Sequence, residues 1–174
     1  MAVAIQIEGQ TGSPAFATEF GRRMEVIVAA LLRADRPLAA ATVRSTVRAE
    51  LAKPPSITGR RAVLLANSMA TAYLRRFAPP PEWRLAGRNV AVGAGRADLL
   101  FTDGEAWFVD ELKAARIRPD DEALTHQVER YQRASESYGE AFLGVRVALL
   151  RAPTQLLLFP APQAYRTMPT GRAR

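Results

Sequence analysis

The chain contains no cysteine and one histidine, His126. Disulfides, thiolate zinc sites, cysteine nucleophiles and multi-histidine metal centres are therefore excluded. Any bound metal would have to be held by oxygen. Lysine is nearly absent as well: of 24 basic side chains only Lys53 and Lys113 are lysine, which makes each stand out against an arginine background. Long apolar runs are missing. The longest near the start, VIVAALL from Val26, falls far short of the ~18 to 20 residues of a membrane span. The first residues also lack a basic segment ahead of an apolar core, so the expectation is a soluble, cytoplasmic protein with no membrane partner.

What is present points to one domain that meets polyanions. At 174 residues a chain can bury roughly 70% of its unfolded surface around a single core. The formal charge is +7, from 24 basic and 17 acidic side chains, and the pI is near 10.7. Such a surface attracts nucleic acid or another polyanion.

Along the chain, Val3, Ile5 and Ile7 alternate as in a short strand. Ser13-Pro14 then opens a helix in which Phe16, Phe20, Met24, Ile27, Val28 and Leu31 recur at helical spacing until Asp35-Arg36-Pro37. Two further helical stretches, 38–51 and 58–77, are separated by Lys53-Pro54-Pro55-Ser56 and closed by Pro79-Pro80-Pro81. The period then becomes that of strands: 83–92, 96–101 and 106–114, the last two joined through Asp103-Gly104. Pro119-Asp120-Asp121-Glu122 opens another helix, and strands at 142–150 and 155–159 finish the core. The order implies a mixed sheet flanked by helices, an α+β arrangement in the α/β class, over residues 1–159. Residues 38–78 form a helical insertion, and a loose tail is expected from Pro160 to Arg174.

Gly95 to Ala115, GRADLLFTDGEAWFVDELKAA, is an apolar hairpin that carries unexpected charge. A two-residue loop at Asp103-Gly104 would pair Thr102 with Glu105 and Asp98 with Val109. Side chains alternate along a strand, so Asp98, Val109, Glu111 and Lys113 would share one face. Asp98 and Glu111 would be diagonal neighbours, about 7 Å apart between Cβ atoms. Two carboxylates there repel unless a cation or a proton relieves them, and a divalent cation bound by oxygen is the simplest relief. Lys113 could orient or deprotonate water, or stabilise charge on the atom attacked. Asp110 falls on the opposite face. The competing reading is a solvated Glu-x-Lys salt bridge, common on strand surfaces.

The pattern of Asp98 at a strand start followed by Glu111-Leu112-Lys113 resembles the PD-(D/E)xK nuclease superfamily, with Ala97 where that family usually has proline. Gln127-Val-Glu-Arg-Tyr131 is similar to the Q-x-x-x-Y motif of its RecB-type branch. Gly21 to Glu25 looks like the G-x-x-x-E helix that opens many members. The resemblance covers Ser13 to Phe159. It implies a restriction-endonuclease-like core with metal held by Asp98, Glu111, the Leu112 carbonyl and Glu25, Glu19 being the competing helix carboxylate. It also implies catalysis by Asp98, Glu111 and Lys113, and nucleic-acid contacts from Gln127 and Tyr131.

A dinucleotide fingerprint at Gly93-Ala94-Gly95 is rejected, because the third glycine is missing and a strand follows. His126 lacks the partners of a catalytic triad and is read as a surface or phosphate-contacting residue, with Arg130 beside it as a candidate nucleic-acid contact. The arginine pairs at 22–23, 60–61 and 75–76 are solvated helix faces or phosphate contacts. The expected function is a Mg²⁺-dependent deoxyribonuclease (Mn²⁺ as substitute, RNA not excluded), with endonuclease and exonuclease action both open. The alternatives are an inactive nucleic-acid-binding or assembly subunit of the same fold, and a basic protein-interaction module. A helicase partner and a homodimer are compatible with the sequence, which has no P-loop of its own.

Overall fold

The computed structural model describes residues 14–171. The strand expected around Val3 to Ile7 and the Ser13 cap lie outside the described residues. Within them a five-stranded mixed sheet is flanked by four α-helices. Helix α1 spans Pro14–Leu32, α2 Ala40–Leu51 and α3 Arg60–Ala72, which runs on into a π turn over Tyr73–Phe77. Strands β1 (Arg84–Val92), β2 (Gly95–Thr102) and β3 (Trp107–Lys113) follow, then α4 (Glu122–Ser135), β4 (Phe142–Leu149) and β5 (Gln155–Pro160). The sheet order is β1-β2-β3-β4-β5; β3 and β4 are parallel and the other neighbours antiparallel.

The parallel pair is joined through α4, because a parallel connection must cross back over the sheet. Asp121 starts that helix, its carboxylate accepting the Leu124 N–H at 3.2 Å, an N-cap that contributes about 1 kcal/mol. Helix α1 packs across β1 to β3, because Phe20, Met24, Ile27 and Leu31 repeat at helical spacing and are buried. Leu99, Phe101, Phe108 and Leu112 meet the α1–α3 layer, whereas Val109, Val145 and Val147 meet Leu124, Val128 and Tyr131 of α4. The sheet is thus covered on both faces and β4 is buried throughout.

The π turn completes a buried polar cluster in the α1–α3 layer. The Tyr73 hydroxyl donates to Asp110 at 2.6 Å. The Arg146 guanidinium binds both oxygens of Asp110 and donates to the Phe77 carbonyl at 2.9 Å. Asp110 and Arg146 are wholly buried, and each side-chain polar atom of the cluster has a hydrogen-bond partner.

Two expectations are corrected. The tail is laid down rather than loose as far as residue 171. Met168 is buried, Arg146 donates to the Pro169 carbonyl, and Arg166 pairs with Asp103 while lying over the Trp83 ring. The hairpin loop has four residues rather than two, since Thr102 pairs with Trp107. Asp103 causes the difference. Its carboxylate accepts the Glu105 and Ala106 N–H groups, which with Arg166 hold its carboxyl down at about 2, and Gly104 supplies the required positive φ of 103°.

Candidate active site

The longer loop moves the register by two residues, and an even shift preserves parity. Asp98 therefore keeps the face shared with Glu111 and Lys113, and the observed register, continued one step, places it opposite Glu111 rather than Val109. Pairing between β2 and β3 stops at Leu99↔Asp110 although both strands run on. Beyond that point the Asp98 carboxylate replaces the ladder, accepting the Leu112 N–H at 2.6 Å. The Lys113 carbonyl faces β4, where it accepts the Leu150 N–H. By strand alternation the Leu112 carbonyl faces the gap beside Asp98.

That gap opens into a cleft of ≈ 370 Å³ between α1 and α4, lined among others by Glu25, Asp98, Glu111, Leu112, Lys113 and Gln127. Glu25 and Asp98 line the same cleft and influence each other's charge. Burial, followed by the Glu111 and Glu25 charges, pushes the Asp98 carboxyl up to about 8 against the opposing Leu112 N–H and Lys113. Burial also raises the Glu25 carboxyl. Three carboxylates thus crowd the end of the sheet, opposed by Lys113 and by Arg22 and Arg96 at the rim.

Helix α4 fixes Glu111. The Gln127 amide donates to Glu111 Oε2 at 2.6 Å, and the Tyr131 hydroxyl lies 2.5 Å from Oε1. Lys113 donates to Gln127 Oε1 at 2.7 Å and to Glu111 Oε2 at 3.3 Å. An ammonium has three N–H groups, so one remains for a ligand. Tyr131 can approach because Gly95 has no side chain: a Cβ there would come within 3.1 Å of the phenol ring. Gly93, at φ 56°, would drive a Cβ to 2.5 Å from that of Ala134. These glycines seat α4 on the β1–β2 turn.

The candidate residues separate accordingly. Asp98, Glu111, Lys113, Gln127 and the Leu112 backbone converge, and of the two helix-one carboxylates Glu25 reaches the cleft while Glu19 pairs with Arg23 at 2.7 Å. Tyr131 is 1% exposed and cannot offer a ring face to a base; it holds Glu111 instead. His126 and Arg130 lie on the exposed face of α4, and His126 sits between Glu122 and Glu129, which disfavours a phosphate. Of the paired arginines, Arg22 reaches the cleft. Arg23 is consumed by Glu19, Glu50 and three backbone carbonyls of the α2–α3 loop. Arg96, which also lines the cleft, was legible from the sequence, being two residues before Asp98 on one strand face.

Among the described residues no group of three or more His, Cys, Asp or Glu side chains is arranged as a ready metal cage. The donor set of acidic oxygens and one free-facing carbonyl is nevertheless of the kind that suits a hard divalent cation. The chain matches no family model, no curated protein and no solved structure.

Proposed function

We propose that the protein is a Mg²⁺-dependent nuclease that hydrolyses phosphodiester bonds in DNA, and that its resemblance to the PD-(D/E)xK superfamily reflects kinship. The observation that carries this reading is the convergence of Asp98, Glu111, Lys113 and Glu25 on one cleft, with the Asp98 carboxyl held up at about 8 first by burial and then by the Glu111 and Glu25 charges. Buried like charges of this kind are found where a site awaits a cation or a proton transfer.

Asp98, Glu111 and the Leu112 carbonyl would hold the cation, with Glu25 close through Asp98. When bound, the cation supplies positive charge that activates water and neutralises the phosphate. The protein does the rest. Tyr131 and Gln127 fix the Glu111 carboxylate, and the remaining N–H of Lys113 meets a phosphate oxygen as negative charge develops there. Water oxygen bonds to phosphorus as the bond to the leaving ester oxygen breaks; the proton lost by water balances the one gained by the leaving group. A nuclease of this kind would work in the cytoplasm; no described helix is long and apolar enough to cross a membrane.

A second reading, a binding subunit without hydrolysis, draws on the same geometry, because both Glu111 oxygens already have protein donors. The test is cleavage of single- and double-stranded DNA and of RNA with Mg²⁺ or EDTA, beside Mg²⁺ calorimetry. Mg²⁺-dependent DNA cleavage, with affinity weakened in Asp98→Ala and Glu111→Ala, is the expected result. Binding of DNA with no cleavage and no effect of either substitution on Mg²⁺ would overturn it for the subunit; cleavage of RNA alone would correct the substrate.

A further inference from the structure

We infer that the cleft is the middle of a groove open at both ends, through which a nucleic-acid strand passes, so that the site acts on internal positions of a continuous chain. This rests on the nucleic-acid reading above and assigns its mode of action.

Three depressions adjoin. On one side a hollow of ≈ 610 Å³ shares Arg22, Glu25 and Arg96 with the catalytic cleft and adds Arg88. On the other a hollow of ≈ 320 Å³ shares Ala115 and Ile117 with it and is lined by Arg116, Arg118 and Arg151. The cleft and the second hollow meet at Ala115 and Ile117, and Ala115 presents only a methyl group between them. A site built to hold a chain end needs a wall or a terminal-phosphate pocket beyond its carboxylates. Here the chain leaves the carboxylates toward arginine in either direction.

The charges in the two arms are available to a ligand. Arg88, Arg116 and Arg151 make no hydrogen bond or ion pair within the described residues, and Arg22 is 71% exposed with Glu19 no closer than 3.9 Å. Arg118 meets Asp120 at 3.2 Å, but both are largely exposed, and such pairs contribute little. Of the acids in the first arm, Glu19 is engaged by Arg23 and Glu50 by Arg23 and Lys53, while Glu25, shared with the cleft, makes no ion pair among the described residues and feels the charges of Arg88 and Arg22. The second arm has no acidic lining and adds Ile117 and Pro153, apolar surface suited to bases. Exposed, weakly engaged arginine on both sides of a carboxylate cluster is what tracking a phosphate backbone requires.

The experiment compares a circular single-stranded DNA with a linear strand of the same sequence. Cleavage by the full chain is followed in Mg²⁺, and the salt dependence of binding is measured with Asp98→Asn. The circle should be cut at a rate similar to the linear strand. Each neutralised phosphate adds about 0.7 to the salt slope for single strands, so Arg116→Ala/Arg118→Ala/Arg151→Ala should flatten it by about 2 and Arg22→Ala/Arg88→Ala by about 1.4. These side chains are mostly exposed, and unchanged melting confirms that folding is intact. Digestion of the linear strand with the circle untouched, or a slope altered by one arm alone, overturns the open groove and leaves the nuclease standing. Salt-dependent binding of the circle through both arms with no cleavage of any substrate keeps the groove and overturns hydrolysis. No salt-dependent binding overturns both.

Discussion

The Tyr131 hydroxyl lies 2.5 Å from Oε1 of Glu111 and 2.7 Å from the Arg96 carbonyl, so helix α4 clamps a carboxylate on β3 to the strand that carries Asp98. The single phenol proton is shared between acceptors on two strands that have already parted.

Tyr131→Phe removes that clamp and little else, because the ring stays packed against Gly95. The half-saturating Mg²⁺ concentration should rise, or turnover fall, by ~10- to 100-fold, the usual effect of losing a partner that orients a metal ligand. DNA affinity in the Asp98→Asn background should not change. A Tyr131→Phe variant with parental Mg²⁺ dependence would show that the phenol only packs.

On the nuclease reading, Lys113→Ala should lower turnover by ~10²-fold or more while Mg²⁺ and DNA binding persist, since its third N–H would be realised on the phosphate in the transition state. Single-turnover kinetics separate this from slow product release. Full activity in that variant would return Lys113 to the role of a Glu111 salt bridge.

Asp98 makes stability depend on pH in metal-free protein. Its carboxyl rises from 3.8 to about 8 on folding, so between those values the native state holds more protons than the unfolded one. Its contribution is full below about pH 4 and is lost as pH rises through 8. In EDTA the melting temperature should fall over this window, and Asp98→Asn should flatten the fall. If parent and variant lose stability in parallel, Asp98 is not the group responsible.

Arg146→Met should destabilise the fold by about 3 to 5 kcal/mol, because it leaves Asp110 buried and unpaired, whatever the protein does. Denaturant melts measure it directly. A loss below about 1 kcal/mol would mean that Tyr73 and water alone satisfy Asp110.

Much of this was readable in one dimension. Apolar spacing in Phe16 to Leu31 and alternation in Trp107 to Lys113 are local consequences of helix and strand periods, and the carboxylates of Asp98 and Glu111 share a face by parity alone. Parity survived an error in the hairpin loop, since Asp103 lengthened it by two residues, an even number. The sequence by itself therefore determined the elements, the mixed sheet and which side chains share a face.

Distances between elements were decided only by tertiary packing. Nothing local distinguishes Glu25 from Glu19, both at the border of one helical stripe; the seating of α1 on β1 to β3 turns one to Asp98 and the other to Arg23. Spacing puts Tyr131 on the apolar stripe of α4 with Leu124 and Val128, but that its hydroxyl reaches Glu111 depends on Gly93 and Gly95 letting α4 come close. The tail likewise lacks a period of its own and is ordered by Asp103, Trp83 and Arg146, residues far away in sequence. Periodicity reports which way a side chain points from its own backbone, and only the packed chain sets what it meets there.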